Sequence, residues 1–142
     1  MAWAAPVVLL VVVLVVLVGW RVRRRFLLVT VEGRSMEPAH RHGDQVLVDR
    51  RRSATLRIGD VVVVERADRV QQRMIKRVAA LPGDRVPIEV CAFQHWPEPT
   101  WVPPGHLVLL GDNPSGSLDS RQRGFFPADR LLGVVVRRVR RR

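Results

Sequence analysis

The sequence predicts a mainly β domain carried on one N-terminal transmembrane helix. An uninterrupted apolar run opens the chain, short Val-, Ile- and Leu-rich segments follow, and Gly-Asp pairs punctuate those segments. From Ala2 to Trp20 no charged or polar side chain occurs, and Val7–Val18 is built of Val and Leu alone. Such a run, at about 1.5 Å per residue, spans roughly 28 Å, close to the hydrocarbon thickness of a bilayer. Trp3 and Trp20 stand at its ends, where amphipathic rings favour the headgroup layer. Pro6 lies in the first turns, where a missing N–H costs least. No Lys or Arg precedes the run and no small-x-small site follows it, which favours a retained helix over a cleaved secretory signal.

Beyond Arg25 the expected strands are Phe26–Glu32, Gln45–Asp49, Asp60–Arg66, Arg73–Ala80, Arg85–Val90, His106–Leu110 and Leu131–Val139. Turns are expected at Gly43-Asp44, Gly59-Asp60, Gly83-Asp84 and Gly111-Asp112, and a proline-rich loop between Gln94 and Gly105. No long 3.6-residue periodicity and no internal repeat appears after the anchor. The chain therefore divides into an anchor with its basic flank (1–25), a β domain (26–139) and a basic tail (140–142).

The net charge is +11, with arginines crowded at the membrane exit (Arg21, Arg23, Arg24, Arg25) and at the C-terminus. Beside a bilayer each would attract anionic headgroups by about 1 kcal/mol. Nucleic acid is the rival partner for so basic a chain. Trp96 and Trp101 lie in the proline-rich loop without interleaved basic residues, so no nucleic acid is expected. The single cysteine, Cys91, excludes an intrachain disulfide and reads as a small buried side chain.

Among 23 arginines, a bias that points to a GC-rich genome, there is one lysine, Lys76. Arginine does not lose its proton in a protein, whereas a buried lysine can act as a base. Strand alternation puts Met74, Val78 and Ala80 on the face of Lys76 and Arg77 on the other. An ammonium on that apolar face is desolvated, which lowers its pKa; the bland alternative is a lone surface lysine. Ser35, between Gly33 and Pro38 at a strand end, is the candidate nucleophile, though an ordinary turn serine would look the same locally. A Ser-His-Asp arrangement competes through His40, His42, His95 and His106. No Gly-x-Ser-x-Gly elbow is present, and His40 and His42 read as solvated loop residues. Neither HExxH nor paired CxxC occurs, so no metal site is expected.

Four segments carry a family resemblance. Ser35-Met36-Glu37-Pro38 with Gly43-Asp44 resembles the nucleophile box of type I signal peptidases, and Gly59-Asp60-Val61-Val62-Val63 their next box. Lys76 to Asp84 (KRVAALPGD) resembles the lysine box, and Gly111 to Arg121 (GDNPSGSLDSR), continuing to Gly124 and Phe125, the last box. Each is weak alone; the ordered set, from Gly33 to Val136, is specific.

The resemblance implies a Ser/Lys endopeptidase in a signal-peptidase-like β domain, of a minimal bacterial, actinobacterial-like form without the large second domain. Ser35 would attack the scissile carbonyl and neutral Lys76 would take its proton. Ser117 would orient the lysine, with Asp119 and Arg121 bracing the site. The Ser35 N–H would supply one oxyanion donor; Gly33 stands where some members place a serine that supplies a second, and Ala39 where a Thr is common. The implied partners are precursor proteins with signal or leader peptides, bound as an added strand, with Met36 and Ile75 as pocket walls. No cofactor is implied.

The expected location is a single-pass protein of the cell membrane with an extracytoplasmic catalytic domain. The positive-inside rule points the other way, because four arginines follow the helix and none precedes it. Arginines held at the outer leaflet, a missing basic start, or a cytoplasmic active site suited to a dedicated maturation protease for one leader-bearing partner would each resolve this. Two further readings are a self-cleaving Ser/Lys protease, opposed by the lack of a DNA-binding helical domain, and a non-enzymatic membrane-anchored basic binding module. The module explains the charge but neither the lone lysine nor the ordered boxes.

Overall fold

A computed structural model describes residues 4–66 and 72–140; the expected interface ring of Trp3 and the tail residues Arg141 and Arg142 lie outside the described residues. Helix α1 (Ala4–Arg25) includes a stretch, Pro6–Arg25, with mean hydropathy 2.3 and none of it buried in the protein, long and apolar enough to cross a bilayer. It runs through the basic flank and passes into β1 (Phe26–Thr30) with no intervening residue.

The β domain is mainly antiparallel. Its further strands are β2 (Gln45–Asp49), β3 (Val61–Glu65), β4 (Arg73–Ala80), β5 (His106–Leu110), β6 (Phe126–Pro127) and β7 (Leu131–Arg140). They form one seven-stranded sheet in the order β1-β2-β7-β3-β4-β5-β6. β7 comes last in sequence but lies inside the sheet, closing between β2 and β3. Register shifts at Leu47/Val48 and Val63/Val64 mark irregularities in its pairing with both neighbours, which bend and twist a sheet.

Six of the seven expected strands form within a residue or two of their predicted limits. Arg85–Val90 does not. Arg85 makes a single bridge to Trp101, the chain turns at Pro87, and α2 (Ile88–Gln94) follows. Pro87 fixes φ at −55° as the residue capping the helix, and Val86 and Val90, four apart, bury together with Cys91 against β4 and β5. Cys91 is 1% exposed, as a small core side chain should be. The short β6, two residues long, has no periodicity in the sequence to read.

Three of the four Gly-Asp pairs share one device. Gly43, Gly59 and Gly83 take positive φ (88°, 91° and 86°). The aspartate that follows each accepts the backbone N–H three residues before it, at 3.0, 3.0 and 2.9 Å from Arg41, Arg57 and Leu81. Gly111-Asp112 is used differently.

Gly133, on β7, faces β2 at close quarters. A Cβ there would stand 2.8 Å from Asp49 O and 2.7 Å from Val48 Cγ1. The backbone oxygen cannot swing aside, so Gly133→Ala should destabilise the domain by roughly 1–3 kcal/mol, read as a lower midpoint in denaturant unfolding of the detergent-solubilised chain.

Candidate active site

Ser35 lies in a tight turn after β1. The Glu37 N–H donates to Arg34 O (3.2 Å) and the His40 N–H to Met36 O (2.8 Å), which coils the chain and leaves Ser35 half-buried. Asn113, just past β5, holds this turn with two bonds. Its N–H donates to Ser35 O at 3.0 Å and its side-chain amide to Arg34 O at 3.1 Å. Ser115 Oγ donates to the other end of that amide at 2.9 Å and so fixes its orientation. Gly111 makes the approach possible: a Cβ there would overlap Ser117 Oγ and stand 2.6 Å from Ser35 O.

Beside this turn sits a closed charge cluster. Asp119 is fully buried and initiates α3 (Ser120–Arg123) through a capping box with Gln122. Its Oδ1 accepts from the Arg121 N–H (3.1 Å) and Nε (3.0 Å). Its Oδ2 accepts from Arg121 Nη2 (2.6 Å), Ser117 Oγ (2.6 Å) and the Gly111 N–H (2.8 Å). Burial alone would raise this carboxyl; the donors from Arg121, Ser117 and the two backbone N–H groups outweigh it and hold the pKa below the usual carboxylate range. Since Ser117 donates to Asp119, its oxygen lone pairs remain to accept from another group.

Lys76 stands on β4 opposite Val62 of β3 and is 3% exposed. As alternation requires, Val78 and Met74 on its own face pack with Val62, Val64 and Leu109. Arg77 on the other face makes a bidentate pair with Asp112 (2.8 and 2.6 Å) and donates to Gly59 O. Burial pushes the Lys76 ammonium down to about 8; the nearby Asp119 charge opposes this, and Arg121 and Arg123 reinforce it. At pH 7 roughly one Lys76 in ten is then neutral, against about three in ten thousand for an unshifted lysine. Among the described residues no hydrogen bond joins Lys76 to Ser35 or Ser117; such bonds often tighten only when substrate is bound.

Ile75, on the face of β4 away from Lys76, lines an open groove of about 360 Å³ with Leu28, Thr30, Glu32, Gln72 and Arg73, along the unpaired edge of the sheet at β1. Met36 is 1% exposed and packs with Ile75 in one core cluster; it is not part of the groove lining. Among the histidines, exposed His42 accepts the Gly33 N–H at 3.1 Å, which commits that donor. His40 differs from its expected solvated state: it is half-buried, its Nδ1 is closed off from solvent, and burial followed by the Arg138 charge lowers its pKa. The clasp by Asn113 and the missing side chain at Gly111 were not singled out in the sequence. Both lie in the fourth box, where a Gly and an Asn bracketing an Asp were visible but their partners 76 and 78 residues away were not.

The buried lysine also sets a pH dependence of stability. Below pH 8 the folded protein carries the full cost of a desolvated ammonium. Between pH 8 and about 10.5 the folded state has released the proton while the unfolded chain still holds it, so stability rises with pH. Relative to Lys76→Met, the wild type should gain on the order of 3 kcal/mol across that window, measured by denaturant unfolding at each pH. A flat difference would show that Lys76 stays protonated in the fold.

The family model described as "Signal peptidase, peptidase S26" matches residues 2–91 and 87–139. The mitochondrial inner membrane protease subunit 1 of Xenopus tropicalis is 35% identical over 116 residues, covering 78% of this chain and 67% of that protein. Its Schizosaccharomyces pombe counterpart is 33% identical over 111 residues, covering 75% and 69%. A probable signal peptidase I-2 of Synechocystis is 28% identical over 124 residues, covering 70% and 56%. The match runs from the apolar helix through all four boxes, and the chain belongs to the S26 family of signal peptidases.

Proposed function

We propose that this chain is a membrane-bound serine endopeptidase that removes N-terminal signal or leader peptides from exported precursors, with Ser35 as nucleophile and Lys76 as general base. The observation that carries the reading is the lone lysine, 3% exposed, with its pKa lowered to about 8 by burial. Neutral Lys76 takes the Ser35 hydroxyl proton as Oγ adds to the scissile carbonyl. The resulting ammonium returns that proton to the leaving amine as the carbon–nitrogen bond breaks. Water, deprotonated by the same lysine, then hydrolyses the acyl-serine. Ser117, anchored by Asp119, orients Lys76 with its free lone pairs, and Arg121 keeps Asp119 ionised and in place. With the Gly33 N–H engaged by His42, oxyanion stabilisation rests on the Ser35 N–H and any donor that rearranges on binding.

The precursor lies as an extended strand along the open β1 edge, with Ile75 of the adjoining groove supplying apolar contact. The catalytic domain faces the extracytoplasmic side of the cell membrane, its exit arginines resting on the outer leaflet. A bacterial, actinobacterial-like origin rests on the arginine bias and the short chain between the third and fourth boxes.

Detergent-solubilised protein should cut a precursor whose leader ends in Ala-x-Ala, with the cut mapped by mass spectrometry. Ser35→Ala and Lys76→Ala should each lose at least about a thousandfold in kcat/KM, and Lys76→Arg should be as inactive as Lys76→Ala. Wild-type kcat/KM should climb about tenfold per pH unit below pH 8 and level off above it. Substantial activity in Lys76→Arg would remove the general-base role. A chain that cuts one leader-bearing partner and no other precursor would be a dedicated maturation protease.

A further inference from the structure

Where α1 meets the β domain, Trp20, Arg21, Arg24, Arg25 and Arg51 line a cleft of about 210 Å³. Its walls come from two separate elements: the last turns of α1, and the 3₁₀ turn Arg50–Thr55 that follows β2. One buried side chain holds both walls. Asp49, 2% exposed, accepts from Arg25 Nε (3.1 Å) and Nη2 (2.7 Å) with Oδ2, and from the Arg51 N–H (3.0 Å) with Oδ1. The guanidinium carbon of Arg24 sits over the Trp20 ring, 3.8 Å from its centroid, a cation–π contact that helps hold that group in place. Asp49 neutralises Arg25, whereas Arg21, Arg24 and Arg51 form no ion pair among the described residues.

We propose that this cleft binds the phosphodiester headgroup of an anionic phospholipid. The cleft opens where the apolar span Pro6–Arg25 ends, so on the reading of α1 as a bilayer-spanning helix it stands at the depth of the lipid phosphates. Arg21, Arg24 and Arg51 line it without an ion pair among the described residues, although Arg51 feels the Asp49 charge, and their planar forks match phosphate oxygens two at a time. The ring of Trp20, half exposed, offers the apolar side that a glycerol backbone and the first acyl carbons would cover. Asp49 preorganises the site: by fixing Arg25 and the Arg51 backbone it sets the spacing of the two walls before any lipid arrives. The assignment is independent of the peptidase chemistry, because none of these residues is in the proposed catalytic machinery.

The test is a titration of the full chain in neutral detergent with dioctanoyl phosphatidylglycerol or dioctanoyl phosphatidylcholine, the bound fraction being read by native mass spectrometry. Phosphatidylglycerol should bind at least tenfold more tightly. Arg21→Gln/Arg24→Gln/Arg51→Gln, which spares the structural Arg25, should lose at least tenfold in that affinity. Arg57→Gln/Arg85→Gln/Arg130→Gln, which removes the same charge from elsewhere on the domain, should change it less than twofold. Equal losses in the two triple variants, or equal binding of the two lipids, would overturn the site. If sn-glycerol 3-phosphate bound as tightly as phosphatidylglycerol, the cleft would be a pocket for soluble anions and the lipid assignment would fail. Cleavage is not read in any arm, so failure here leaves the peptidase reading untouched, and the reverse.

Discussion

The buried carboxylate of Asp119 is the constraint on which the site depends. A full negative charge with no solvent contact is tolerable only if its oxygens are saturated, and five donor groups reach them. Those donors come from the end of β5, from the Ser117 segment and from α3, so meeting the needs of one carboxylate fixes three pieces of chain against each other. Gly111 joins in through its N–H and, by lacking a side chain, leaves room for Ser35 and Ser117 to pack on the same point.

The two basic residues near this carboxylate divide the work according to their chemistry. Arg121, with a fork that cannot deprotonate, takes the pairing position, where a fixed charge and two-point geometry are needed. Lys76 stands on an apolar strand face with no ion pair among the described residues, where a charge is costly and neutrality is favoured. Exchanging them would place a removable proton where permanence is required, and a permanent one where the proposed function needs release.

The outline of the fold was legible because strand alternation and Gly-Asp turns are local signals, and Gly-Asp pairs border most of the candidate strands. Arg85–Val90 misled because two valines and an isoleucine around a proline suit a strand as well as a short helix; only the spacing of Val86 and Val90 against one core separates the two. The desolvation of Lys76 could be read from its neighbours along the strand. Met36 could not be assigned in that way: it shares its core cluster with Val29, Val46 and Val63, residues brought together by pairing across the sheet rather than by proximity in sequence. The same holds for the clasp of Asn113 on the Ser35 turn and for the cover over His40, both of which depend on contacts made at long range.

The absence of any linker between α1 and β1 bears on how a protease so built would choose its bond. A catalytic domain on a tether sweeps a volume and must rely on side-chain pockets to find the right peptide bond. Here the helix enters the sheet directly and Arg25 is locked onto Asp49, so the domain is cantilevered from its anchor. On the proposed function, Ser35 would be carried at a set altitude over the lipid, and distance from the bilayer would become a coordinate of recognition. A precursor threaded through the same membrane would then be measured by how far its leader emerges, which would lessen the discrimination asked of the side-chain contacts in the groove.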